Sequence, residues 1–199
     1  MTFPWQFPQL SSHLHRCTRA IMTLLLCVVI WGIASINHPA WAGLTDDHFD
    51  GNIFALYGGN GSLVPPRVTL AQSLQRPQPT LLVYYINDSS DCKAYTTVVS
   101  QLQAYYGRAA DFIPIDVDSI PPQDSYSASE PGYYYQGLVP QTVLLDATGK
   151  IVFNQAGNID FAVVDDQFRE VFNLLPRAQS LELKPRPVNE INVELSGRS

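Results

Sequence analysis

The pattern of apolar and polar positions along this chain predicts a small mixed sheet with helices. Residues 81–86 form an almost wholly apolar run, as expected of a central strand that is covered on both faces. Residues 93–106 carry apolar side chains at helical spacing, and Gly107 follows as a helix terminator. Residues 112–117 predict the next strand, and Pro114 within it indicates a position at the edge of the sheet.

A second set of elements follows a long polar stretch, residues 118–136. Residues 142–146 and 150–154 flank a short turn and predict a β-hairpin. Residues 161–175 then place aromatic and aliphatic side chains on one face, which predicts a last helix that ends before Pro176.

Weaker patterns precede and follow these elements. Residues 52–64 hold a short apolar run and then glycines, which predicts a strand and a turn. Residues 69–75 predict a short helix with Thr69 as its cap. Residues 191–195 alternate in polarity and either add a strand or remain loose. The predicted fold class is therefore α/β, with a central mixed β-sheet flanked by helices on both faces.

The first 42 residues differ in composition from the rest, because they contain no Asp or Glu. Two arginines precede an uncharged, largely apolar run at residues 20–36, and an A-x-A cleavage signature ends at Ala42, before Gly43. This pattern is typical of a secretory signal peptide. The run also approaches the length of a membrane span, so an uncleaved N-terminal membrane anchor is the alternative. In both cases the basic flank predicts that the rest of the chain is exported.

Residues 43–199 have the size of one domain, which we place at residues 43–176, with a polar tail at residues 177–199. This part carries all 18 acidic residues and a net charge of about −8, which gives it no electrostatic reason to bind nucleic acid. It contains one cysteine, Cys92, and one histidine, His48. An internal disulfide is therefore excluded, and neither a metal nor a cofactor is predicted.

The candidate chemistry lies in the turn between the strand at residues 81–86 and the helix that follows. Ser89, Ser90 and Asp91 precede Cys92 in this turn. Three interpretations of Cys92 remain open: a packed structural thiol, a thiol that forms mixed disulfides, and a contact for a metal or cofactor. The three preceding residues also suit a structural role, because they can cap the helix and complement its dipole.

Three consecutive tyrosines, Tyr133, Tyr134 and Tyr135, lie just before Val139 and Pro140. Consecutive side chains of a regular element cannot all point inward, so at least one of these rings should be exposed. The tyrosines are then either an ordinary edge of the core or part of a protein interface.

The apolar strand, the Cys-Lys helix, the Val-Pro hairpin and the last helix occur in the order found in the thioredoxin superfamily, which the chain resembles over residues 81–175. The resemblance implies that Pro140 follows a cis peptide bond and faces the active-site turn. It implies that the backbone of Val139 pairs with a bound extended peptide. It also implies that Ser89 stands in place of the attacking cysteine of a C-x-x-C pair, while Cys92 is the second and more buried position.

Other residues that support catalysis in that superfamily are also replaced. Asp88 stands where a Trp usually precedes the cysteine pair, Val83 replaces a buried carboxylate, and Thr97 replaces a kinking proline. Thiol–disulfide exchange needs two sulfurs to close a disulfide, so these losses together argue for binding rather than catalysis.

The leader, the turn at residues 88–93, the tyrosine-rich loop and the proline-containing tail further resemble a cyanobacterial family of exported thylakoid membrane proteins associated with photosystem I accumulation. The resemblance implies a non-catalytic assembly factor in the thylakoid lumen or on the membrane facing it, with photosystem I subunits or other thylakoid polypeptides as partners. The predicted binding residues are Ser90, Asp91, Tyr133, Tyr134, Tyr135, Val139 and Pro140. The alternatives are a monothiol redox protein that acts through Cys92 and a periplasmic thioredoxin-like binding protein.

Overall fold

A computed structural model describes residues 21–28, 43–180, 183 and 185. The contacts divide the chain into two units, Met1–Trp41 and Ala42–Ser199. Residues 21–28 are helical, while the rest of the predicted signal peptide or anchor and the possible strand at residues 191–195 lie outside the described residues. Within the described ranges, no helix combines the length and the apolar character needed to cross a membrane.

One mixed sheet forms the centre of the second unit. It consists of β1 (Thr80–Tyr85), β2 (Asp111–Asp116), β3 (Gln141–Leu145) and β4 (Ile151–Ala156), in the spatial order β2-β1-β3-β4. Strand β1 runs parallel to β2 and antiparallel to β3, and β3 runs antiparallel to β4. Every residue of β1 is buried, which confirms the prediction of a central strand.

Strand β2 lies at the edge of this sheet, as Pro114 indicated. The N–H of Asp111 donates to the carbonyl of Pro79, immediately before β1. Because backbone groups alternate in direction along a strand, those of Pro114 point away from β1, toward the open side. Proline has no N–H, so it occupies a position at which no hydrogen bond to β1 is required.

Within residues 43–180, four α-helices cover the sheet, and they lie on both of its faces, as predicted. Helices α1 (Ile53–Leu56), α3 (Ser90–Tyr106) and α4 (Phe161–Val171) pack against one face. Helix α2 (Leu70–Ser73) packs against the other face. Thr69 caps α2 as predicted, with its side chain accepting the N–H of Gln72.

The strand predicted within residues 52–64 is wrong, because residues Ile53–Leu56 form the helix α1. The side-chain oxygen of Asn52 accepts the N–H groups of Phe54, at 3.1 Å, and of Ala55, at 3.3 Å, and so caps the helix. An apolar run of this length fits a strand or a buried helix turn equally well, and the cap favours the helix.

The beginning of the predicted tail is attached to the domain. The Arg177 guanidinium lies 3.0 Å from a carboxylate oxygen of Asp165 and 3.0 Å from one of Asp166, both on α4. Leu183 packs against the same core cluster as α3 and α4. The chain therefore continues to contact the domain beyond Pro176.

Candidate functional site

The turn after β1 forms a capped helix N-terminus. Ser89 has an extended backbone, and its Oγ accepts the N–H of Cys92 at 3.3 Å, so that α3 begins at Ser90. Asp91 lies in the first turn, where its charge complements the helix dipole, and accepts a hydrogen bond from Asn158 at 3.1 Å. Of the three residues predicted to cap this helix, Ser89 provides the cap itself.

Cys92 is buried, with 2% of its surface exposed, in the core cluster that also contains Val83. Burial raises the pKa of the Cys92 thiol above its ordinary value, although hydrogen bonds with Ile86 and Ser89 partly oppose this effect. The thiolate is the nucleophilic form of cysteine, so an enclosed thiol with a raised pKa is a poor nucleophile. The structure therefore favours the packed thiol among the three interpretations of this residue.

A feature that the sequence analysis missed lies one residue further along α3. The side chain of Lys93 is fully buried, and its Nζ donates to the carbonyls of Gly43 and Asp46, each at 3.0 Å. The same Nζ lies 3.1 Å from a carboxylate oxygen of Asp46 and 2.8 Å from one of Asp50. All of these acceptors belong to residues 43–50, which we call the N-terminal strap.

The strap also occupies the N-terminus of α3. A carboxylate oxygen of Asp47 accepts the N–H of Ser90 at 2.8 Å, and this hydrogen bond lowers the pKa of Asp47. A negative charge at this position is favoured by the helix dipole. The signal in the sequence was three aspartates within residues 46–50, shortly after the predicted cleavage signature, ahead of a single lysine next to Cys92.

The bond between Val139 and Pro140 is cis, as the superfamily resemblance implied. Val139 is half-buried and packs against the core clusters on both faces of the sheet. Neither its N–H nor its C=O is hydrogen-bonded to any residue that the structure describes. The next carbonyl, that of Pro140, accepts the N–H of Gly157 at 2.7 Å. Val139 thus presents an unpaired backbone N–H and an unpaired C=O just before β3.

The three tyrosines divide between the core and the surface. Tyr134 is buried and donates through its hydroxyl to the carbonyl of Ala128 at 2.9 Å. Tyr135 is half-buried and stacks on Tyr84, with ring centroids 5.4 Å apart. Tyr133 is 55% exposed, which confirms that at least one ring faces solvent. Tyr134 and Tyr135 therefore fit an ordinary edge of the core, and a protein interface at Tyr133 stays a prediction.

Gln141 holds the tyrosine loop in place, and it too was missed. Its side chain is fully buried; its oxygen accepts the N–H of Gln136 at 2.9 Å, and its nitrogen donates to the carbonyl of Tyr134 at 2.8 Å. A glutamine at the start of a largely apolar strand was the available signal. Leu138 lies in the chain between Gln136 and Gln141, and its side chain is 63% exposed.

A parallel β-α-β unit followed by an antiparallel hairpin and a C-terminal helix is the arrangement of a thioredoxin-like domain. In this domain Ser89 and Cys92 occupy the helix N-terminus. The chain is 52% identical over 190 residues to the thylakoid membrane protein slr1796 of Synechocystis sp. (strain ATCC 27184 / PCC 6803 / Kazusa). This similarity covers 92% of the chain and 94% of that protein, so the chain belongs to the family of slr1796.

No family model matches the sequence. Among solved structures, the chain resembles the germline-specific thioredoxin Deadhead from Drosophila melanogaster, with a TM-score of 0.39, 20% identity, and coverage of 47% of this chain and 81% of that one. It also resembles a mutant thioredoxin from Halobacterium salinarum NRC-1, with a TM-score of 0.40, 23% identity, and coverage of 53% and 83%. At these scores the likeness adds nothing to the topology described above.

Proposed function

We propose that this protein is a non-catalytic thioredoxin-like factor that binds an extended segment of a thylakoid polypeptide and thereby supports the accumulation of photosystem I. The binding surface consists of Val139 and two exposed apolar side chains near it in sequence, Tyr133 and Leu138. Photosystem I subunits are the proposed partners, as the family resemblance implies.

The observation that carries this proposal is that the backbone N–H and C=O of Val139 have no hydrogen-bond partner in the described part of the chain. An extended peptide can pair its own backbone with these two groups, and the main-chain hydrogen bonds then contribute affinity. Tyr133 and Leu138 add exposed apolar area, and aromatic residues are frequent anchors of interfaces. The Gln141 side chain holds the backbone of Tyr134 and Gln136 by hydrogen bonds. Because the loop is held in this way, little conformational entropy is lost when a ligand binds.

The region around Cys92 supports binding rather than exchange. Disulfide exchange proceeds by attack of a thiolate and needs a second thiol to release the mixed disulfide. Cys92 is buried with a raised pKa, and Ser89 supplies a hydroxyl that is engaged in capping. Ser90 and Asp91, which were also predicted to bind a partner, are engaged by Asp47 and Asn158 within the chain.

The proposed location is the thylakoid lumen, or the thylakoid membrane with the domain facing the lumen. The name of the relative slr1796 supports the thylakoid, and the leader pattern of the sequence supports export. Membrane association would then depend on whether the N-terminal segment is kept as an anchor. The periplasm is the alternative that cell fractionation separates from this location.

Complementation of a cyanobacterial deletion strain tests the proposal. We expect the deletion to lower the amount of photosystem I relative to photosystem II, and the wild-type chain to restore it. The double variant Tyr133→Ser/Leu138→Asp should fail to restore it, because both exposed contacts are lost. Cys92→Ser is the matched control within the same domain, and it should restore photosystem I if it folds.

The same strains identify the partner. Tagged wild-type protein, purified from detergent-solubilised membranes, should retain photosystem I polypeptides, and the double variant should lose them. If a folded Cys92→Ser variant reproduces the deletion, thiol chemistry is the function and the binding proposal is wrong. If the deletion leaves photosystem I unchanged, the assignment to photosystem I is wrong.

A further inference from the structure

One end of the sheet brings the start of β3 next to the ends of β1 and β2. Strands β1 and β2 run parallel and end together, because Tyr85 is the register partner of Asp116. Strand β3 starts at the same end, since Gln141 is the register partner of Tyr84. The residues that follow β1 and β2 therefore lie at the same end of the sheet as Val139, and we call this the Val139 end.

Three aspartates lie at the Val139 end. Asp116 is the last residue of β2, Asp118 follows in the next turn, and Asp88 lies shortly after β1. Burial raises the pKa of Asp116, and the charges of Asp118 and Asp88 raise it further, although two hydrogen bonds partly oppose the shift. Burial and then the electrostatic effects of Cys92 and Asp118 raise the pKa of Tyr135. The three carboxylates are thus close enough to repel one another and lie next to the tyrosine loop.

No cation compensates these carboxylates within the part of the chain that the structure describes. The three aspartates form no ion pair with any described residue. Residues 77–92 and 109–149, which include β1, β2, β3 and the loops at the Val139 end, contain neither Lys nor Arg. Lys93 follows directly in sequence, but its Nζ is engaged by two carboxylates of the N-terminal strap. The Val139 end therefore carries a negative charge that is left for a ligand to match.

The opposite end of the sheet is different, because both signs of charge occur there. Arg76 lies shortly before β1, Arg108 lies shortly before β2, and Lys150 directly precedes β4. The guanidinium of Arg76 is 3.5 Å from a carboxylate oxygen of Asp111, the first residue of β2. The domain is therefore electrostatically asymmetric along its strands, and the unmatched negative charge lies at the end where Val139 offers its backbone.

We propose that the polypeptide segment bound at Val139 is cationic, with Lys or Arg side chains next to the residues that pair with the Val139 backbone. Neighbouring strands lie about 5 Å apart, so Asp116 is two strand spacings, about 10 Å, from the start of β3. Charges at this range interact at low ionic strength and are screened at high ionic strength. This inference rests on the proposed function and specifies the chemical class of its partner.

The same charges exclude partners of the wrong sign. A segment with Asp or Glu at these positions would add to the repulsion that already raises the pKa of Asp116. Complementary charge also steers a ligand toward the surface during its approach and so raises the rate of association. Backbone pairing at Val139 carries no information about sequence, so the carboxylates would supply the selectivity that the main-chain hydrogen bonds lack.

Binding of three synthetic peptides to the full-length chain in detergent micelles tests the inference. The peptides share an alternating Val-Thr core and differ only in their flanks, which consist of Lys, Gln or Glu. Fluorescence anisotropy of the labelled peptides gives each Kd at about 50 mM and about 500 mM salt. We expect the Lys-flanked peptide to bind at least about tenfold more tightly than the Glu-flanked peptide at the lower salt concentration, and this ratio to shrink at the higher one.

Charge reversal connects this preference to the Val139 end. Asp118→Lys should reduce the ratio of the two Kd values at least about threefold. The matched control is Glu170→Lys, which changes the net charge equally at an exposed position of α4. Helix α4 contacts the C-terminal end of α3, where Phe168 stacks on Tyr106, so this control should keep the wild-type ratio. Asp88→Lys replaces Asp118→Lys if circular dichroism shows that the latter does not fold.

The possible failures are distinguishable. Equal affinity for all three peptides, lost in Tyr133→Ser/Leu138→Asp, would overturn the cationic partner and leave peptide binding at Val139 intact. A preference for Lys flanks that Glu170→Lys reduces as much as Asp118→Lys would reflect net charge alone, and it would also overturn the inference. Absence of binding by any of the peptides would contradict both this inference and the proposed function.

Discussion

The N-terminus of α3 and the loop before β3 use their backbone groups in opposite ways. At the helix N-terminus, Ser89 takes the N–H of Cys92 and Asp47 takes that of Ser90. In the loop, the N–H and C=O of Val139 have no hydrogen-bond partner within the described part of the chain. The backbone N–H groups of the first region thus have hydrogen-bond partners within the chain. The backbone groups of Val139 remain available to a ligand.

Under the proposed function, this difference lets a thioredoxin-like scaffold bind a polypeptide without exchanging thiols. The helix N-terminus is the place where the superfamily carries its reactive thiols, and here it is closed by capping, burial and the strap. The backbone unit at Val139, which serves polypeptide binding in the superfamily resemblance, is kept. Four predictions test this contrast, in order of decreasing effect.

The largest effect concerns the reactivity of Cys92. In a Cys17→Ser/Cys27→Ser background, we expect a thiol reagent to label native Cys92 at least about 100-fold more slowly than the urea-unfolded chain, because labelling requires opening of the core. The measurement is the labelling rate at about pH 8. Fast native labelling, with an apparent pKa below the ordinary value of about 8.5, would show that this end of the molecule is open.

The second effect is on the stability that Lys93 contributes at the N-terminus of α3. Lys93→Met removes the partner of Asp50 and should lower Tm by roughly 10 °C, while Lys150→Met on the surface should change it by less than about 2 °C. Differential scanning calorimetry of the two variants gives the comparison. Equal Tm values would mean that the buried ammonium contributes nothing to stability.

A third and smaller effect is a dependence on pH. Because Asp47 and Asp50 have lowered pKa values in the folded protein, their contribution to stability is present above the ordinary carboxyl pKa of about 4 and is lost as the pH falls through the lowered values. Tm should therefore fall by several degrees between about pH 5 and pH 3, and by less in Asp50→Asn. Parallel curves for the wild type and this variant would contradict the role of Asp50.

The smallest effect should be seen at the exposed side chains near Val139. Tyr133→Ser and Leu138→Ser remove exposed side chains and should each change the free energy of unfolding by no more than about 0.5 kcal/mol. The neighbouring Tyr134→Ser is the contrast, since it empties a buried site and should cost about 3 kcal/mol. Urea unfolding measures all three. A large loss at Tyr133 would mean that this ring stabilises the fold instead of a complex.

The fold could largely be predicted from local patterns. Strand β1 and helix α3 follow from the continuous apolar run and the helical spacing, with boundaries one to three residues from the predicted ones except at Tyr106, where the helix ends as predicted. The hairpin turn follows from Asp146, whose carboxylate accepts the N–H groups of Thr148 and Lys150, and from Gly149, which adopts a positive φ of 81°. The failure at α1 reflects a four-residue helix that is too short to show its own periodicity.

The site was predicted only where it depends on neighbours in sequence. The cap by Ser89 and the burial of Cys92 follow from the turn and from the superfamily resemblance. The contacts of Lys93 cross 43 to 50 positions of the chain, and hydrogen bonds over such distances leave no periodic trace in the sequence. Gln141 was missed for a related reason, because two of its partners are backbone groups, which carry no side-chain signal, and the third is Asn154 on the next strand.

The proline in β2 has a consequence for the behaviour of this protein at high concentration. An exposed sheet edge with a full row of amides is a template on which a second copy can add a strand, and repetition of that step leads to aggregation. Pro114 removes one of the amides that would face outward from β2, so a chain that pairs along this edge would leave a carbonyl without a donor. Strand addition along the β2 edge is thereby disfavoured.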